Sequence, residues 1–179
     1  MKPIVSVIVL AWNHCDQLTK PFVKNFLEKT PGDYWELIIV NNGSADNTKE
    51  FLDSIKDPRV KIKHNVKNLG FGGGNNSALP LVQGEFTLFM NNDVVLKDEG
   101  WLERLLDYSQ THPKTVVGAQ LVTFNSATEF RNANRAYING WCLMIDTAFL
   151  KKEGFAFNPD FGFAYFEDVE LCQKAIRKG

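Results

Sequence analysis

Cysteine is scarce in this chain: Cys15, Cys142 and Cys172 make an odd set of three, with no CxxC spacing among them. That argues against a disulfide framework or a cysteine-ligated zinc site and suits a reducing cytosol. A basic excess is also missing, with 20 Lys and Arg against 21 Asp and Glu. Nucleic acid as the main partner would leave a positive surplus, so that class is set aside. No apolar run is long enough to span a bilayer. The one near the start, Ile4 to Trp12, is strand-sized and has no small-residue cleavage signal behind it. The expected location is the cytoplasm, with peripheral contact at the inner face of a membrane left open. Two nucleotide-binding signatures are incomplete. The stretch NLGFGGGNN has Gly70-x-Gly72, but the third glycine of a dinucleotide fingerprint would fall on Asn75, and no Walker lysine follows.

What is present is an ordinary globular composition, 44% hydrophobic and 23% charged over 179 residues, enough for one domain with a buried core. The 14 Phe and four Trp are mostly core material, with some free to line a groove. Strand and helix patterns alternate. Ile4–Leu10 is a continuous β-branched run, and Asp16–Lys29 carries a helical stripe through Leu18, Phe22, Val23, Phe26 and Leu27. Trp35–Val40 is a second strand, followed by a turn and a helix marked by Phe51, Leu52 and Ile55. Val60–His64 alternates like a strand nearer an edge, and a glycine-rich turn leads to a short helix over Asn75–Val82, with Pro80 awkward inside it. Phe86–Met90 is the fourth strand and Asp98–Gln110 the next helix, with Asp98 as its cap. Two further strands are expected in TVVGAQLV and GWCLMI, and a last helix from near Phe166 to Lys178. The βαβαβαβ pattern predicts a three-layer α/β/α domain with a mostly parallel central sheet.

In such sheets ligands collect at the carboxyl ends of the strands. Polar clusters follow each of the first four strands: Trp12-Asn13, Asn41-Asn42-Gly43-Ser44, Asn68 to Asn76, and Asn91-Asn92-Asp93. One such cluster is turn chemistry; four on one edge read as a site. Asp93, a carboxylate flanked by amides, is a hard-oxygen position suited to Mg²⁺ or Mn²⁺ held jointly with a diphosphate. The glycine-rich stretch reads either as a turn permitting close backbone approach or as N–H groups facing a phosphate or sugar at a helix start. Near the end, Glu167, Asp168 and Glu170 open a helix, where the dipole favours them. Phe161, Phe163, Tyr165 and Phe166 would wall a carboxylate there and partly desolvate it, as a general base requires. His14 and His64 read as surface or hydrogen-bonding residues, and Glu129, Arg131 and Arg135 as acceptor or phosphate contacts or simply a solvated loop.

Together, VSVIVLAWN, ELIIVNNGSADNT, NLGFGGGNN, FMNNDV and YFEDVEL resemble the family 2 glycosyltransferases with the GT-A fold, in order and over nearly the whole chain. The resemblance implies an inverting transferase that moves a sugar from a nucleotide-diphosphate donor to an acceptor hydroxyl in cell-surface glycan or polysaccharide synthesis. It puts Trp12 and Asn13 at the nucleotide base, with Asn41 where an aspartate usually contacts that base and Asn42 beside it. Gly70, Gly74 and Asn75 fall on the donor side. The NND motif stands in place of DxD, so Asp93 would ligate the divalent cation, with Asn92 toward the ribose or metal. Asp168 would be the general base, with Glu167 and Trp141 toward the acceptor, which would be a glycan, a lipid-linked saccharide or a protein. The nucleotide-binding half would cover about residues 1–97 and the acceptor half about 98–179.

Three departures from the family pattern stand out: Asn41 in place of aspartate, a single carboxylate in the metal motif, and a chain that stops just after the helix of the presumed base. The last makes it either the catalytic core of a longer protein or a minimal one. A catalytically inactive nucleotide- or sugar-binding module is the alternative. A sugar nucleotidyltransferase ranks behind both, because AWNHCDQ lacks the basic glycine-rich loop that chemistry wants.

Overall fold

Seven consecutive residues, β1 (Val5–Ala11), form the centre of the molecule, and all but one of them are buried. The computed structural model describes residues 2–123, 136–161 and 167–178. On one side of β1 lies β2 (Trp35–Asn42), buried along its whole length, and beyond it β3 (Val60–Asn65), half-buried as an edge strand should be. On the other side lies β4 (Phe86–Asn91). These four strands run parallel, which is why the first two read as unbroken apolar runs: a parallel sheet is covered on both faces.

The sheet is completed by β8 (Cys142–Asp146), antiparallel to β4, and by the two-residue β5 (Val117–Gly118) outside it, giving the order β3-β2-β1-β4-β8-β5. A separate two-stranded ribbon pairs β6 (Leu121–Thr123) with β7 (Ala136–Ile138). The expected strand TVVGAQLV is therefore split between two sheets. Glu129, Arg131, Arg135, Phe163, Tyr165 and Phe166 lie outside the described residues.

One face of the sheet packs against α1 (Lys20–Lys29) and α4 (Trp101–Thr111). Phe26 meets Trp35 and Trp101 edge-on at centroid distances of 5.1 and 5.9 Å. The other face packs Ile8, Ile38, Phe89 and Leu143 against Ala78, Phe157 and Leu171. Each fully buried Leu, Ile or Phe contributes about 1.5–3 kcal/mol, so these two clusters supply most of the stabilisation. The helical stripe from Asp16 is a wide turn, Cys15–Thr19, followed by α1, with Pro21 in the first turn where its missing N–H costs nothing.

Three helices differ from expectation. α3 (Gly70–Ala78) begins five residues before Asn75 and consists largely of the glycine-rich stretch itself, while Pro80 sits in a short 3₁₀ turn, Leu79–Leu81, that ends it. Glycine disfavours helix, but packing overrides it: a side chain on Gly74 would come within 2.5 Å of Leu10. α4 starts at Trp101, and Asp98 instead bonds the Gly100 N–H and pairs with Arg104. A helix not foreseen, α5 (Thr147–Glu153), is capped by the Asp146 carboxylate accepting from the Ala148 N–H. The remaining helices are α2 (Thr48–Ser54) and α6 (Glu167–Lys178). Among the described residues no helix is long and apolar enough to cross a membrane.

Candidate active site

The carboxyl ends of β2, β1 and β4 lie side by side, with Ala11 in register with Asn41 and Leu10 with Asn91. β1 leaves the sheet at Trp12, whose ring is 52% exposed, an unusual place for an indole that no core residue requires. Asn13 and His14 follow in the left-handed region, φ 55° and 54°, which turns the chain sharply back over the sheet edge. Asn13 ties this turn to the loop after β2. Its N–H donates to Ser44 Oγ at 2.9 Å, and its side-chain oxygen accepts from the Ala45 N–H at 2.8 Å. Asp46 adds a second tie by accepting from the Cys15 N–H at 2.9 Å. Burial works against the Asp46 carboxylate, but bonds from Thr48 and from backbone N–H groups prevail and hold it below its ordinary range.

Asn41, 4% exposed, uses its amide at both ends: Oδ1 accepts from the Ser44 N–H at 3.0 Å and Nδ2 meets His64 Nδ1 at 3.2 Å. Asn42 is fully engaged inside the protein. Its Nδ2 donates to Asn68 Oδ1 at 2.9 Å, and its Oδ1 accepts from Asn65 and from the Leu69 N–H. Asn75 is buried and donates to the Phe71 carbonyl at 2.9 Å. Gly70 turns at φ 74° with its N–H given to Asn68, and Gly74 lies against Leu10 and Asn42. Asn42 also donates to the Gly70 carbonyl, so it ties the start of α3 to β2, while Gly70, Gly74 and Asn75 are buried within α3.

At the end of β4, Asn92 donates to Thr19 Oγ1 at 3.1 Å, which fixes the turn after β4 to the turn after β1. Asp93 is exposed and, among the described residues, makes no hydrogen bond or ion pair. No group of three His, Cys, Asp or Glu that could hold a metal occurs among the described residues. A cation at Asp93 would therefore need most of its ligands from a bound anion and water.

Asp168, at the start of α6, is held by two backbone donors: Gly140 N–H to Oδ2 at 3.0 Å and Val169 N–H to Oδ1 at 2.8 Å. Gly140 directly precedes Trp141, whose carbonyl accepts from the Asn91 N–H at 3.0 Å. Two carboxylates 75 positions apart in sequence are thus joined by a short path, Asp93–Asn91–Trp141–Gly140–Asp168. Glu167 is 7% exposed, and its Oε2 has no partner among the described residues. Burial pushes its carboxyl above the ordinary range; a backbone hydrogen bond opposes this, and the neighbouring Asp168 charge adds a smaller upward push. The Trp141 indole N–H donates to Gln120 at 3.1 Å, and its ring lines an apolar groove of about 730 Å³ with Met90, Val94, Val95 and Tyr108.

The order of motifs and the sheet topology both match known proteins. A family model for glycosyl transferase family 2 matches residues 6–171. The chain belongs to glycosyl transferase family 2. An uncharacterized glycosyltransferase of Haemophilus influenzae is 33% identical over 122 residues, covering 66% of this chain and 37% of that protein. The O-antigen biosynthesis protein RfbC of Myxococcus xanthus is 32% identical over 121 residues, 67% of this chain and 9% of its own length. The mannosyltransferase PcManGT of Pyrobaculum calidifontis, solved with GDP-Man and Mn²⁺, superposes with a TM-score of 0.76 at 20% identity, covering 100% of this chain and 53% of its own. TarS 1-349 of S. aureus, solved with UDP-GlcNAc, gives 0.73 at 21% identity, covering 98% and 53%. At those identities the likeness is one of fold, and that fold is GT-A. The family 2 chain described here spans little more than half the length of these two structures and less of the two sequence relatives.

Sequence reasoning singled out Asp93, Asp168 and Trp12 and read His64 as a surface or hydrogen-bonding residue; it did not single out Gly140 or Thr19. His64 carried a signal, since it stands at a strand end beside a polar cluster. Gly140 carried almost none, because its part is played by a backbone N–H.

Proposed function

We propose that this chain is the donor-binding and catalytic core of an inverting glycosyltransferase. The donor would be a nucleoside diphosphate sugar and the acceptor a hydroxyl of a cell-surface polysaccharide. The observation that supports it most is the path joining Asp93 to Asp168 through the Asn91–Trp141 backbone bond, which links a carboxylate unpaired among the described residues to one held by backbone N–H groups. The names of relatives point the same way: one is a teichuronic acid biosynthesis glycosyltransferase of Bacillus subtilis, another a colanic acid one of Escherichia coli.

In this reading the exposed Trp12 ring offers a face to the nucleobase, and the Asn41 amide meets its edge. Asp93, unpaired among the described residues, would hold a Mn²⁺ or Mg²⁺ ion jointly with the diphosphate. When bound, the cation supplies positive charge against the leaving diphosphate. Asp168 receives the proton of the acceptor hydroxyl, while the acceptor oxygen forms a bond to the anomeric carbon from the face opposite the breaking carbon–oxygen bond. Sugar configuration inverts, through an oxocarbenium-like transition state. The two N–H groups on Asp168 fix its orientation so that little rearrangement accompanies proton transfer. Glu167 and Trp141 sit beside it on the acceptor side.

The test is a thermal-shift panel of nucleoside diphosphates with and without Mn²⁺, followed by transfer assays. A ligand that binds the native state raises the melting temperature by mass action. One diphosphate should stabilise the wild type only with metal. Asp93→Ala should abolish that shift, and Asp168→Asn should keep it while losing about 10²–10⁴-fold in kcat. A diphosphate shift that survives Asp93→Ala unchanged would remove the metal role from this residue.

A further inference from the structure

His64 lies outside every role assigned above. It is the penultimate residue of β3, directly in register with Asn41 of β2, and its side chain is 31% exposed. Hydrogen-bond accounting places its proton. The Ser44 N–H can only donate, so the Asn41 atom 3.0 Å from it is the carbonyl oxygen. The amide nitrogen therefore faces His64, and Nδ1 accepts from it at 3.2 Å. An imidazole that accepts at Nδ1 carries its proton on Nε2, which donates to Asp53 Oδ1 at 3.0 Å. Asp53 is in turn paired with Lys49 at 2.5 Å. One line of polar contacts thus runs from the outer face of α2 through His64 and Asn41 to Ser44 and Asn13, beside Trp12.

Resting on the reading in which Asn41 meets the donor nucleobase, we propose that His64 is a positioning residue for that base, holding the Asn41 amide in one of its two flips. A neutral imidazole needs a donor opposite it, which asparagine supplies and an ionised aspartate cannot. Asn41 and His64 are therefore a matched pair, and the asparagine that departs from the family pattern has a physical reason. Held this way, the amide keeps one lone pair and one N–H beyond those given to Ser44 and His64, and these are what it can offer a base edge.

Protonation undoes the arrangement. An imidazolium carries N–H at Nδ1, directly opposite the amide N–H of Asn41. Rotating the amide to relieve that contact sets its NH₂ against the Ser44 N–H. The first arrangement forfeits the Asn41–His64 bond, and the second the Asn41–Ser44 bond, which anchors the residue that Asn13 bonds. The described groups facing the ring are Asp53 from α2, whose charge favours the imidazolium and is offset by Lys49, and the uncharged Asn41 from β2. Donor affinity should therefore be weaker when the ring is protonated.

Calorimetric titration of UDP, GDP, ADP, CDP and dTDP with Mn²⁺, between pH 8 and pH 5.5, tests this on wild type, His64→Asn and His64→Leu. His64→Asn puts a carbonyl oxygen near the place of Nδ1 but does not titrate. With the best-bound nucleotide, His64→Leu should bind about three- to tenfold more weakly at pH 8, the worth of one hydrogen bond. His64→Asn should bind close to wild type at pH 8. Wild type should lose several-fold more affinity on acidification than either variant; that difference separates the imidazole from titration of the nucleotide's own terminal phosphate. In transfer assays the His64→Leu effect should fall on the donor KM rather than on kcat. If wild type binds a nucleotide and His64→Leu binds it equally, or the acid profiles of wild type and His64→Asn coincide, His64 has no such role and the donor site stands. If no nucleotide binds wild type, the donor-site reading falls and the proposal falls with it.

Discussion

Glu167 shows what a single residue concedes to a site. Its carboxyl is buried, partnerless at one oxygen among the described residues, and raised in pKa by that burial. A carboxyl raised in the folded state binds its proton more tightly there than in the unfolded chain. The stabilisation this brings is complete below the ordinary carboxylate range and is lost as pH rises through the folded value. At neutral pH the charged form is held at a cost. Glu167→Gln should therefore melt higher than wild type at pH 7, with the difference closing toward pH 4. Melting curves across that range check it, and a constant offset would mean that packing rather than charge is responsible. The residue scale is also where the sequence was most informative about chemistry. Asp93 and Asp168 stood out because a strand tip and an aromatic-flanked helix start are odd places for carboxylates. The bonds that Asn42, Asn75 and Gly70 make inside the protein carried no signal in the sequence, because an amide that holds a loop and an amide that holds a nucleotide have the same letter.

At the scale of elements, the loop after β2 depends on a backbone shape few residues tolerate. Gly43 has φ 72°, and a Cβ there would lie 2.5–2.7 Å from backbone atoms of Lys67 and Asn68. Neither partner is a flexible side-chain end that could swing aside. Gly43→Ala should destabilise the fold by about 1–3 kcal/mol or more, measured by urea denaturation with the slope unchanged. Strands were legible because β1 and β2 are buried on both faces and so read as uninterrupted apolar runs. α3 was misplaced by five residues, since its helical state comes from packing against Leu10 and Phe157, not from its own propensity. α5 escaped notice because seven residues carry too little periodicity to register, even with Asp146 as its cap.

For the molecule as a whole, the three cysteines report on integrity. All are buried, and burial pushes the Cys142 and Cys172 thiols up to about 11. The thiolate is the reactive form, so at pH 8 the native protein should not react with a thiol reagent such as Ellman's over minutes. All three should become reactive in denaturant, and the slow native rate should track the global opening reaction. Fast labelling of one thiol would show that its layer opens separately. The fold class was readable at this scale because βαβ alternation leaves few topologies. The antiparallel β8 was not, since nothing in an isolated strand sequence records its direction.

The position of β8 has a consequence for the order of assembly. β5 precedes β8 in the chain yet lies outside it, reaching the sheet only through β8. The sheet therefore cannot grow outward strand by strand as the polypeptide emerges from the ribosome. Residues 117–118 must wait, edge unpaired, until residues 142–146 have been made and threaded against β4. The same event brings Trp141 to Asn91 and sets Gly140 where Asp168 later meets it, so the strand on which the outer edge waits is also the one that links β4 to the start of α6.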